Sequence, residues 1–98
     1  MTLAKAKVVV QTPSFKKAVK KLKANEKKVL DTAIKKLIEN PNLGEQKKGD
    51  LSFLNVYKFK MVKQQTLLGY SFHSGNLTLM LLALGTHENF YRDLKRKI

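Results

Sequence analysis

Val8, Val9 and Val10 form a β-branched block, stiff at χ1, that stops at Thr12-Pro13 and predicts a first strand. Thr12 then caps a helix with Pro13 at its first position, where the missing N–H costs nothing. Phe15, Val19 and Leu22 recur at spacings of four and three, leaving Lys16, Lys17, Lys20, Lys21 and Lys23 elsewhere on the cylinder. Asn25 predicts a second N-cap with Glu26 in the first turn. Leu30, Ala33, Ile34, Leu37 and Ile38 mark the apolar stripe of a second helix that Asn40-Pro41 ends. Two helices joined so closely form an antiparallel hairpin whose stripe must cover a sheet.

The period then changes to two. Asn42 to Asp50 reads as a loop, and from Val56 to Val62 lysines alternate with aromatic or apolar residues. Tyr57, Phe59 and Met61 fall on one face of this strand; Val56, Lys58, Lys60 and Val62 fall on the other. Gln64-Gln65 predicts a turn into a strand from Leu67 to His73, and Ser74-Gly75-Asn76 a second turn. Leu77 to Leu84, nearly all apolar, predicts a central strand covered on both faces. Gly85-Thr86 opens a closing helix, with Thr86 as N-cap, Glu88 in the first turn and Lys95, Arg96 and Lys97 in the last. The order β-α-α-β-β-β-α describes one α+β domain over residues 1–98, an antiparallel sheet of about four strands with an N-terminal helical hairpin and a C-terminal helix.

Composition narrows the function. With 98 residues, 43% of them hydrophobic and 28% charged, the chain holds one modest core and no second domain. Twenty Lys+Arg against seven Asp+Glu give a net charge of +13, and 13 of those cations lie in residues 1–48. Such self-repulsion points to a polyanionic partner: nucleic acid, an acidic protein segment, or both. The absence of cysteine removes disulfides, thiolate catalysis and cysteine zinc sites. Two histidines make a poor metal site, so neither metal nor cofactor is expected. The eight residues from Leu77 to Leu84 fall far short of the ~20 needed to cross a bilayer. The Val8-Val9-Val10 block is much shorter than a secretory signal's apolar region, so a cytoplasmic protein is expected. No Gly-rich phosphate loop, paired-carboxylate site or Ser-His-Asp set is present.

A few residues suit phosphate chemistry. His87 falls in the first turn of the closing helix, where the dipole disfavours imidazolium and suits proton transfer near neutral pH; Glu88 pushes the other way, and a plain capping sequence is the alternative. Tyr91, one turn on, shares its helical face and could stack on a base or, like Phe90 and Leu94, dock the helix. Lys58 and Lys60 share a strand face with Cα atoms about 6.7 Å apart, close to the spacing of adjacent phosphates. They could stabilise charge growing on a phosphorane-like transition state or simply form a solvated face. Arg92, Lys95 and Arg96 could track more backbone phosphate, while the helix dipole alone accounts for Lys95 to Lys97. His73, at a hairpin end, reads as an ordinary loop residue.

In this order and at these spacings, several segments together resemble the RelE/ParE toxin superfamily of bacterial toxin–antitoxin modules. They are Glu39-Asn40-Pro41, Lys48-Gly49-Asp50-Leu51, Val56-Tyr57-Lys58-Phe59-Lys60 and the finish Leu84-Gly85-Thr86-His87-Glu88-Asn89-Phe90-Tyr91-Arg92. The likeness runs from about Phe15 to Lys97. It implies a microbial-ribonuclease-like fold and, for RelE-type members, metal-independent cleavage of messenger RNA in the ribosome. Lys58 and Lys60 match lysines that act near the scissile phosphate, and His87 and Tyr91 match a histidine and aromatic past the last strand. The implied reaction is attack of a 2′-hydroxyl on phosphorus, with His87 protonating the leaving 5′-oxygen. A cognate antitoxin, acidic or amphipathic, is the implied partner beside ribosome and mRNA. Many RNA-cleaving members carry an arginine at the start of the third strand, where this chain has Leu67-Leu68-Gly69. ParE-like relatives share the fold and inhibit DNA gyrase without RNA chemistry, which is the alternative.

Overall fold

A computed structural model describes residues 5–87 and 89–92. The elements are β1 (Val8–Gln11), α1 (Pro13–Lys20), α2 (Ala24–Glu39), β2 (Glu45–Gln46), a 3₁₀ turn (Gly49–Leu51), β3 (Asn55–Met61), β4 (Gln64–His73) and β5 (Thr78–Gly85). His87 and residues 89–92 are helical and are termed α3. The α+β class with its helical hairpin is as expected, but the sheet has five strands and is mixed, in the order β1-β5-β4-β3-β2. The first strand lies parallel to β5, because the hairpin carries the chain across the sheet to its other edge. At that far edge Glu45 and Gln46 add a two-residue strand inside the segment read as loop.

Thr12 caps α1 as expected, its hydroxyl accepting the Phe15 N–H at 3.2 Å. The same hydroxyl donates to the Leu82 carbonyl at 2.9 Å, tying α1 to β5. The second helix starts earlier than Asn25 predicts: Lys23 is the N-cap, and the Glu26 carboxylate accepts its N–H at 2.8 Å. A glutamate three positions past the cap reaches back to an orphan donor more effectively than Asn25, whose Oδ1 accepts only the neighbouring Glu26 N–H. Asn40 is the C-cap, and Pro41 stops the helix.

Two further boundaries differ. The β3–β4 turn is Val62-Lys63, not Gln64-Gln65, since Met61 pairs directly with Gln64 and keeps its side chain in the core. Val62 takes φ 59°, an unfavourable value for a β-branched residue. Moreover, β4 rather than β5 is the most buried strand, with every residue from Thr66 to Tyr70 buried. β5 is internal, but its second half is only half-covered, for a reason visible in its register. Tyr70 pairs with Leu81 and Gly69 with Ala83, so Leu82 is an extra residue that bulges the strand. The bulge flips the alternation, so the long apolar run serves two faces in succession.

Each face carries its own core. Phe15, Leu30 and Leu37 of the hairpin pack on Met61, Leu68, Tyr70, Leu79 and Leu81. The opposite face buries Leu54, Val56 and Leu67 under Phe90 of α3. Tyr57 and Phe59 join the first core while Val56 joins the second, so the predicted division of β3 into two faces holds. Among the described residues no helix is long and apolar enough to cross a membrane.

Candidate functional site

The face under α3 gathers the chemistry. Across it Lys58, Leu67 and Gly85 stand in register on β3, β4 and β5, two strand spacings of about 4.8 Å each. Gly85 leads directly through Thr86 into α3, whose Phe90 N–H donates to the Thr86 carbonyl at 2.8 Å. The sheet thus holds the root of α3 near Lys58, while Leu67 forms a buried apolar floor between them. Lys58 and Lys60 are both exposed, on the stretch of β3 beyond the cover of α3. His87 is exposed as well, its ring edge against Tyr91 with centroids 5.4 Å apart. Tyr91 in turn meets Phe90 nearly perpendicularly at 5.0 Å, and Phe90 is the buried anchor of this small stack.

Not every candidate joins this group. Arg92 is exposed and donates to the Asn89 side-chain oxygen at 2.7 Å. His73 lies at the end of β4 away from α3, consistent with an ordinary loop-end residue. Lys95, Arg96 and Lys97, with Glu88 and Leu94, lie outside the described residues. Leu67 and Leu68, at the departure from the RelE pattern, are both buried and add no charge. Among the described residues no three His, Cys, Asp or Glu side chains converge to hold a metal ion.

Sequence reasoning missed Lys47. Its N–H donates to the Leu54 carbonyl at 2.9 Å, and its Nζ lies 3.0 Å from Glu45 Oε1 and 5.7 Å from the Tyr91 ring centroid. The Glu45 carboxylate, and after it the Tyr91 side chain, hold the ammonium above the ordinary lysine range. Glu45 is correspondingly held below the usual carboxylate range, chiefly by Lys47 and in smaller part by Lys58. Lys47 and Lys58 line one open groove of about 250 Å³. His87, Tyr91, Lys47 and Lys58 therefore form a continuous chain of neighbours around one end of the sheet. The only signal in the sequence is the two-residue spacing of Glu45 and Lys47, too short to announce a strand.

A buried hydroxyl positions the segment that carries Lys47. Tyr70 donates to the Pro41 carbonyl at 2.5 Å and accepts the Gly44 N–H at 2.9 Å, and burial pushes its phenol above the ordinary value. Tyr70→Phe leaves both backbone groups without that partner and is expected to cost about 1–3 kcal/mol. A lower urea midpoint, with faster amide exchange over residues 44–47, is the expected reading; an unchanged midpoint would show that the clamp carries no stability.

Residues 9–95 match the family described as ParE-like toxin of type II bacterial toxin-antitoxin system. No curated protein matches the chain. Among solved structures, the fold is similar to a mutant of the E. coli toxin RelE in the free state, at TM-score 0.72 and 15% identity, covering 98% of this chain and 99% of that one. It is also similar to a chain of the intact E. coli RelBE toxin–antitoxin complex, at TM-score 0.67 and 14% identity, covering 81% and 94%. The Mycobacterium tuberculosis toxin–antitoxin complex RelBE2 gives TM-score 0.64 and 15% identity, covering 82% and 96%.

Proposed function

The chain belongs to the ParE-like toxins of type II bacterial toxin–antitoxin systems, and from that premise we propose that it acts as a ribosome-dependent endoribonuclease on messenger RNA. The observation that supports this is the arrangement around α3: two exposed lysines on β3, Lys58 and Lys60, with Lys58 in register through Leu67 with the strand end that leads into α3, and on α3 an exposed imidazole backed by a tyrosine ring. In the proposed reaction the 2′-hydroxyl attacks the adjacent phosphorus, forming a 2′,3′-cyclic phosphate as the bond to the 5′-oxygen breaks. One of Lys58 and Lys60, as the neutral amine, takes the 2′ proton, while the other, as the ammonium, stabilises the negative charge that grows on the phosphate oxygens. His87, as imidazolium, delivers its proton to the leaving 5′-oxygen. Tyr91 positions the imidazole and offers a ring face to a base. Arg92, with Lys95 and Arg96 beyond it, adds cationic charge along the RNA backbone.

Two solved neighbours are toxin–antitoxin complexes. By analogy, an acidic or amphipathic segment of a cognate antitoxin neutralises this chain by covering its basic, partly apolar surface. A cytoplasmic site of action goes with that reading. The second reading is inhibition of DNA gyrase without RNA chemistry. It is favoured by the ParE-like character of the matched family and by Leu67 standing buried where many RNA-cleaving members carry arginine.

Primer extension on a message under translation, after a pulse of toxin, separates the two. Codon-phased 5′ ends are expected; intact message with double-strand DNA breaks would replace the ribonuclease reading by the gyrase one.

A further inference from the structure

We propose that Lys47 is a third phosphate-binding cation of this face and that Glu45 is its resting counter-ion, displaced when a polynucleotide strand binds. The inference rests on the reading of this face as an RNA site and adds to it a residue and an exchange.

Lys47 differs from an ordinary solvated lysine. Its side chain is 25% exposed, against 62% for Lys5, the cation of the other ion pair among the described residues. Its backbone is fixed by the bond to Leu54, and its ammonium stands over the ring that touches His87. Glu45 and Lys47 lie two apart at the β2 edge and Glu45 pairs with Val56, so they share the face of Val56 and Lys58. A strand bound along Lys58 and Lys60 passes beside Lys47.

Glu45 is the second half of the argument. The chain has only seven acids against 20 lysines and arginines, and one of them sits between two of the site's cations. Its carboxylate is largely exposed and presents to Lys47 the kind of oxygen a phosphate presents. An ion pair so exposed is weak and screened. A phosphate that takes its place brings the favourable release of counterions from the nucleic acid. Glu45 thereby keeps Lys47 extended over Tyr91 in the free protein and yields to the ligand.

The test uses the full chain and a single-stranded 2′-O-methyl RNA, which binds without being cleaved, with affinity read by fluorescence anisotropy over a range of salt. Lys47→Gln is expected to weaken binding roughly three- to tenfold, a screened fraction of the worth of a charge-assisted hydrogen bond. It should also reduce the salt slope by about 0.7, the loss of one phosphate contact on a single strand. Glu45→Gln is expected to move affinity the opposite way, and Lys47→Arg to retain it. A pair that merely staples the sheet edge would lower the melting temperature in both variants and shift binding in one direction or not at all. Either result overturns the inference. Wild-type protein that fails to bind the free RNA overturns this inference and leaves the ribonuclease reading to cleavage on the ribosome, whereas wild-type binding that neither substitution changes overturns only the roles of Lys47 and Glu45.

Discussion

His87→Gln is expected to lower cleavage of ribosome-bound message by about 10²–10⁴-fold, the usual worth of a positioned general acid. Glutamine keeps roughly the length and polarity of the imidazole but cannot deliver a proton. Because His87 is exposed, its loss opens no cavity and the melting temperature should hold. Lys58→Ala with Lys60→Ala should also relieve growth arrest without unfolding, because both amines lie on the solvated part of β3. The two changes should differ in their dependence on the leaving group. Without His87 a message with a 5′-thio leaving group, which needs no proton, should be cleaved at near the wild-type rate, whereas without the lysines it stays slow. Single-turnover cleavage of the two messages on programmed ribosomes reads this directly. A full rate for His87→Gln removes the imidazole from the chemistry, and an unfolded double lysine variant shows that those side chains support the sheet.

The division of β3 into an aromatic face and a lysine face was legible because strand alternation at half-burial is a strong constraint. Tyr57, Phe59 and Met61 could not exchange places with Val56, Lys58 and Lys60 without burying charge. The hairpin was legible for a similar reason, since Phe15 and Val19 on one helix and Leu30, Ala33, Ile34 and Leu37 on the other repeat at helical spacing on otherwise lysine-rich cylinders. What escaped depends on partners distant in sequence. Nothing local distinguishes β2 from loop, because Glu45 and Gln46 become a strand only by pairing with Val56 and Asn55. The bulge at Leu82 is equally silent, being defined by the register against Gly69 and Tyr70. That bulge decides the site: it turns Ala83 and Gly85 to the face of Lys58, and Thr12 holds its carbonyl from α1. Lys47 escaped for both reasons, being one of many lysines and meaningful only beside Tyr91.

Gly69→Val is expected to abolish function while sparing most of the fold. Gly69 has no left-handed backbone to explain it; its role is space. A Cβ there would lie 2.7 Å from Phe90 Cζ and 3.0 Å from Leu54 Cδ1, closer than packed carbons tolerate. Leu54 sits in the same fully buried cluster and β4 is the central strand, so the side chain with most freedom to leave is Phe90. Phe90 is the buried anchor of α3, and removing a buried phenylalanine typically costs about 3–5 kcal/mol. Helical stability in a protein comes mostly from packing of the apolar face, so without its anchor α3 undocks. His87 and Tyr91 leave the sheet with it, and the proposed general acid is lost from the strand end in register with Lys58. The core beneath the hairpin lies on the other face and needs none of these contacts. Native-state hydrogen exchange should therefore show the Phe90 amide, normally bonded to Thr86, losing protection while amides of β4 stay protected. Gly69→Ala combined with Phe90→Leu, which returns part of the space, should recover protection and some cleavage. If Gly69→Val retains a protected Phe90 amide, α3 is held by something other than this anchor. Phe90 would then not couple the second core to the proposed site.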